Sequence, residues 1–166
     1  MKKSMTLGMA ILLAVSLLSA CGGGKKETVP DVDLTAFYNE KEAEYGWDGG
    51  YMTDVEGEML ENYYPGLGEI STKQLVVKAP LMSAVVNEMV FMQCETEADA
   101  DKAQEILQAR IDYQVGDEQN PGGAWYPESI EAWKRAEIVR QGTYVALIAS
   151  NERQQELADA FNALFA

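Results

Sequence analysis

Val85-Val-Asn-Glu-Met-Val-Phe-Met-Gln-Cys94 and, directly after it, Thr96-Glu-Ala-Asp-Ala-Asp-Lys-Ala-Gln-Glu-Ile-Leu-Gln-Ala-Arg-Ile-Asp-Tyr-Gln-Val-Gly116 carry two different periodicities. The first run is short, apolar and free of breakers, as a buried strand requires. The second opens on a threonine able to accept from the free amides of a helix N-terminus. It then sets Ala103, Ile106, Leu107, Arg110, Ile111 and Gln114 on one helical stripe, and Gly116 ends it. Upstream, Gln74 to Ala79 reads as another strand. Ala79-Pro-Leu-Met-Ser83 turns the two into a hairpin, because Pro80 cannot donate to a central ladder.

The same order recurs near the C-terminus. Glu137 to Arg140 and Tyr144 to Ser150 form a hairpin across Gln141-Gly142. Asn151 with Gln154 then opens a helix bearing Leu157, Ala160, Phe161, Leu164 and Phe165. Two hairpin-and-helix units suggest an internal repeat, although residue identity between them is poor. The expected class is α+β, an antiparallel sheet of about four strands with helices packed on one face. Before the sheet, Asp33 caps a helix carrying Leu34, Phe37 and Tyr38 as far as Tyr45-Gly46, and Asp54 to Tyr63 forms a shorter helix stopped by Pro65-Gly66. Between the halves lies a glycine- and proline-rich loop, Asp117 to Pro127, and Glu128 to Lys134 reads as a helical turn.

At the N-terminus Met1-Lys2-Lys3 precedes an apolar stretch from Met5 to Leu18 and then Leu18-Ser-Ala-Cys21. A basic start, a short apolar segment and small residues before a cut make a secretory leader, here residues 1–20. The apolar stretch falls short of the roughly 20 residues that span a bilayer. Leu-Ser-Ala-Cys looks like a bacterial lipobox, in which lipid joins the cysteine thiol. Cys21 is therefore the expected lipidation site and holds the protein to the outer face of a membrane. Residues 21–31, with three glycines and two lysines, read as a flexible tether, and residues 32–166 as one globular domain.

Charge narrows the partners. The chain has 13 basic and 27 acidic residues, and loss of Lys2 and Lys3 with the leader makes it more acidic still. Nucleic acid is not expected, since phosphate binding needs a basic face. With Cys21 committed to lipid, Cys94 is left without a disulfide partner and is expected as a buried, inert thiol.

Arg110-Ile-Asp-Tyr-Gln114 and the following Asn120-Pro-Gly-Gly-Ala-Trp-Tyr-Pro127 resemble a family of small Gram-positive surface lipoproteins, the Domain of Unknown Function 4358 family. The lipobox, Tyr64-Pro-Gly-Leu67 and the closing Phe161-Asn-Ala-Leu-Phe165 share the resemblance. It implies lipidation and an extracytoplasmic place. It carries no activity, ligand or catalytic residue.

Three constellations have a functional and a structural reading. Arg110 and Gln114 sit one turn apart on an apolar stripe, where long polar side chains are unusual. An internal ion pair with Glu88, which interrupts Val86, Val90 and Met92, is the favoured account; one wall of an anion or peptide site is the other. In the Asn120 to Pro127 loop, Trp125 and Tyr126 are expected to fold inward and plug the core, against the alternative of a preformed recognition loop for a sugar, peptide or wall fragment. Asp31-x-Asp33 and Asp117-Glu118 invite a calcium reading, but a loop counted from Asp31 has Ala36 where glycine belongs, so a solvated acidic surface is preferred.

The chain has no histidine, hence no Ser-His-Asp or Cys-His unit, and zinc loses its commonest ligand. Phosphate-cradling and dinucleotide-binding glycine motifs are missing, and no cofactor or metal is expected. The expected function is a membrane-anchored, non-catalytic binding or accessory module for an extracytoplasmic ligand or protein. The alternative is a carboxylate-dependent cell-wall or sugar-processing enzyme.

Overall fold

Strand β3 (Asn87–Cys94) lies at the centre of the sheet and is buried along its whole length. It pairs with β2 (Thr72–Pro80) on one side and β5 (Tyr144–Ser150) on the other, both antiparallel. β1 (Met52–Asp54) and β4 (Glu137–Gln141) form the edges, giving the order β1-β2-β3-β5-β4. The computed structural model describes residues 29–47, 51–82 and 84–166; the expected leader, the expected lipidation site Cys21 and the expected tether as far as Thr28 lie outside them. The class is α+β, with five strands. The added strand comes from Met52–Asp54, pairing Met52 with Pro80 where a helix start was expected.

Alternation along β3 and β5 divides the core in two. Val86, Val90, Met92, Val145 and Leu147 face one way, toward α3 (Glu97–Val115) and α4 (Pro127–Lys134). Met89, Phe91, Ala146 and Ile148 face the other way, toward α1 (Leu34–Tyr45) and α5 (Gln154–Ala163). Phe91 stacks on Phe161 at 5.7 Å and meets Phe37 edge-on at 5.2 Å. The helices thus cover both faces, where the sequence suggested one. A central strand buried on both sides shows little alternation between apolar and polar residues, so the unbroken apolar run of β3 was itself the available signal of a second layer.

The internal repeat fails as well. A two-fold axis relating the β2–β3 and β4–β5 hairpins would put α3 and α5 on the same face, and they lie on opposite faces.

The helix ends follow local chemistry. Thr96 accepts from the Asp99 amide at 3.1 Å to start α3, and Asp33 accepts from Ala36 at 2.9 Å to start α1. Each cap is worth about 1 kcal/mol. Asn151 does not cap α5 as expected: its Oδ1 accepts from the Val86 amide at 2.8 Å, and the Gln154 side chain accepts from the Ser150 amide at 3.0 Å. α2 (Gly57–Tyr63) is shorter than expected, and α4 is a full helix rather than one turn.

The chain enters the domain at one end of the sheet. Val29 lies against Gly142 of the β4–β5 turn, the Val32 amide donates to Tyr144 Oη, and Gln74 Nε2 donates to the Val32 carbonyl. Pro80, Asn87 and Ser150 occupy the other end, about 20 Å away at roughly 3.3 Å per residue.

A candidate ligand cleft built around a buried ion pair

Glu88 sits on the β3 face that looks at α3, among apolar neighbours, and would be costly there without a partner. Arg110 reaches it from the last turns of α3. Nε donates to one carboxylate oxygen at 2.8 Å and Nη2 to the other at 2.9 Å, and both side chains are 7 % exposed. Tyr64 adds a hydroxyl, donated to Glu88 at 2.6 Å. The guanidinium lies over Tyr63 at 4.3 Å, with Tyr64 and Trp133 beyond it. Burial works against the Arg110 charge, but the hydrogen bonds and attraction of Glu88 outweigh it and hold the group above its ordinary value. Burial, then the neighbouring carboxylate, drives the Tyr64 phenol well up, so it stays a neutral donor.

One edge of this cluster is open. Among the described residues, Nη1 of Arg110 makes no hydrogen bond, and it is not sealed from solvent. Arg110 lines a cleft of ≈ 510 Å³ at the end of the sheet away from Val29. Gln114, one turn on, also lines the cleft, and its side-chain amide has no hydrogen bond among the described residues. Asn87 and Ser129 contribute to the floor, the first accepting from Ser150 and the second donating to the Ala84 carbonyl.

The loop after α3 continues the lining beyond Gln114. Its backbone is tied to the helix end: the Gly123 amide donates to the Tyr113 carbonyl at 2.9 Å, and the Ala124 amide to that of Gln114 at 3.1 Å. Gly122 passes so close that a Cβ there would sit 2.3 Å from the Gln114 carbonyl oxygen, which demands glycine. The result is a preformed ledge carrying Trp125 and Tyr126.

These aromatics correct the expectation of an inward plug. Trp125 is 87 % exposed and Tyr126 57 % exposed, both beside the cleft. The plugging position is already filled by Trp133 of α4, which is buried beside Arg110. Asn120 lies apart from the cleft. It closes the turn after α3, its amide donating to Asp117 Oδ1 at 2.7 Å. Those backbone bonds, from Asn120 first and Gln119 second, hold the Asp117 carboxyl below its usual range.

Thus Glu88, Arg110, Gln114, Trp125 and Tyr126 come together and Asn120 does not. The sequence pointed to none of Tyr63, Tyr64 and Trp133 as parts of this cluster. The Tyr63-Tyr64 doublet before Pro65 was the available signal, but nothing in spacing links it to a carboxylate 24 residues away. Cys94 is buried and free, its thiol pushed up to about 11 by burial and then by Asp99. Among the described residues, no helix is long and apolar enough to cross a membrane, and no group of three or more acidic or cysteine residues is arranged to hold a metal ion.

A family described as a domain of unknown function (DUF4358) matches residues 45–150. The chain belongs to that family. No curated protein and no solved structure matches it.

Proposed function

We propose that this DUF4358 chain is a lipid-anchored, extracytoplasmic binding module whose ligand site is the cleft beside Arg110. The observation that carries the reading is a concave site lined both by the polar side chains of Arg110 and Gln114 and by the exposed aromatics Trp125 and Tyr126. Sites that bind small ligands or segments have this make-up, and the volume falls within their usual range of roughly 300–1,000 Å³. The leader and Leu-Ser-Ala-Cys21 support the anchor.

The cleft gives less support to hydrolysis. Two-carboxylate mechanisms need a second acid roughly 5–10 Å from the first, with at least one of them free to exchange a proton. Glu88 is the one carboxylate among the described lining residues, and its oxygens already accept three hydrogen bonds.

Two measurements test the reading. Intact-mass analysis should find acyl chains on the mature N-terminus at Cys21, and a mature chain without them would sink the anchor. A solubilised digest of cell envelope should raise the melting temperature of the wild type and not of Trp125→Ala, because a ligand that binds only the folded state stabilises it. No rise with the wild type would refute the binding reading. New reducing ends, lost in Glu88→Gln, would establish the enzyme instead.

A further inference from the structure

The cleft's chemistry points to a class of ligand; the argument rests on the binding reading above. Its one cation is internally neutralised, because Glu88 takes two of the three guanidinium nitrogens. A site built for a carboxylate or phosphate leaves its arginine fork free, and here the fork is spent. The chain around it carries a formal charge of −14, which repels polyanions. What remains open to a ligand is neutral in character: one guanidinium N–H edge at Nη1 and the Gln114 amide, which both donates and accepts.

The loop after α3 supplies flat faces. Trp125 stands 87 % exposed with Tyr126 next to it, on a ledge held rigid by the Gly123 and Ala124 backbone bonds. An indole presented in this way has only two side-chain torsions to fix on binding and offers an apolar face beside polar donors. A pyranose ring has that same duality. Its axial C–H groups form an apolar face and its equatorial hydroxyls pair with amide and guanidinium groups. A peptide would instead gain most from free backbone donors and acceptors. The strands lining this cleft, β2 and β3, lie inside the sheet and spend theirs on their neighbours.

We propose that the cleft binds an uncharged glycan, with a sugar ring stacked on Trp125 and its hydroxyls held by Gln114 and the Nη1 edge of Arg110. The position in the fold agrees. The chain enters at the Gly142 end of the sheet, so an anchored domain presents the cleft at the end remote from its tether, toward extracytoplasmic polysaccharide and away from lipid headgroups.

The test uses the full-length chain in a detergent without a sugar headgroup, titrated with chitotetraose and with maltotetraose by isothermal calorimetry. At least one should bind saturably, with the same affinity at low and high salt. Trp125→Ala should weaken that binding about tenfold or more, and Gln114→Ala should weaken it too, while both variants melt with the wild type. Failure of both saccharides to bind, or equal binding by Trp125→Ala, would overturn the assignment. If a mixed-sequence decapeptide pool binds and neither saccharide does, the glycan assignment is overturned while the binding reading stands.

Discussion

Replacing Arg110 with alanine isolates the ion pair on which the cleft is built. In the wild type the Glu88 carboxylate is closed from solvent and accepts from Arg110 Nε, Arg110 Nη2 and Tyr64 Oη. The substitution removes two of the three donors and, among the described residues, the only positive charge in contact, leaving an ionised oxygen pair with one phenol. Stranding one partner of a buried pair costs about 3–5 kcal/mol. A domain of this size loses roughly 3–5 °C of melting temperature per kcal/mol, so a fall of about 10–20 °C is expected. Circular dichroism melts of residues 29–166 measure it directly. Gln114→Ala, whose side chain holds nothing in the fold, should melt within about 2 °C of the wild type. The double variant Arg110→Ala with Glu88→Gln should recover part of the loss, because the stranded charge is gone. An Arg110→Ala melt equal to the wild type would refute the argument that Glu88 depends on this partner. A double variant worse than the sum of its singles would refute the claim that a stranded charge is what costs.

Two further perturbations probe the ledge and the core. Gly122→Ala places a methyl group against the Gln114 carbonyl, backbone against backbone, and should cost at least about 1 kcal/mol while freeing Trp125 from its ledge; unchanged melting together with unchanged tryptophan emission would show that the close approach is not needed. Cys94 should react with a thiol reagent slowly in the native chain and quickly in denaturant, and fast native labelling would reopen a thiol activity. Its thiol, ordinarily near 9.0, is held at about 11 in the fold. The folded state therefore keeps the proton more tightly, so this contribution is complete below about pH 9. As pH rises through 11 it is lost, to the extent of about 2–3 kcal/mol. Cys94→Ala should flatten that part of the stability profile, and an unaltered profile would exclude the thiol as its source.

Much of this architecture is legible because local chemistry dictates it. Thr96, Gly116 and the stripe from Ala103 to Ile111 specify α3 with no help from the rest of the chain, and the hairpins follow from their turns. What could not be read depends on contacts between distant segments. β1 is three residues long and exists because Pro80 and Ala79 lie opposite it. The second helical layer is signalled by β3, whose apolar run lacks the alternation of a half-exposed strand, but which helices supply that layer depends on contacts between distant segments. Trp125 misled for a related reason. Large aromatics usually pack inward, but Trp133 already fills the space beside Arg110, and only the folded chain reveals that the inner place is taken.

Arg110 shows why a choice between scaffold and site is too narrow at such a position. A guanidinium presents separate edges, and here they are divided. The Nε and Nη2 edge neutralises Glu88 and fastens α3 to β3, while Nη1 has no partner among the described residues and the residue lines the cleft. The first edge gives the second its value, because an arginine held by a bidentate carboxylate and lying over Tyr63 keeps its remaining N–H in one place. A ligand that meets Nη1 meets a preorganised donor and loses little affinity to side-chain ordering. The same neutralisation removes the pull on anions, so on the glycan proposal the pair that holds α3 to β3 also sets the polarity of what the cleft accepts. Stability and recognition then respond to different substitutions. Arg110→Ala damages both together, whereas Gln114→Ala and Trp125→Ala reach recognition alone, and that separation distinguishes a site built on a scaffold from a scaffold with a dent in it.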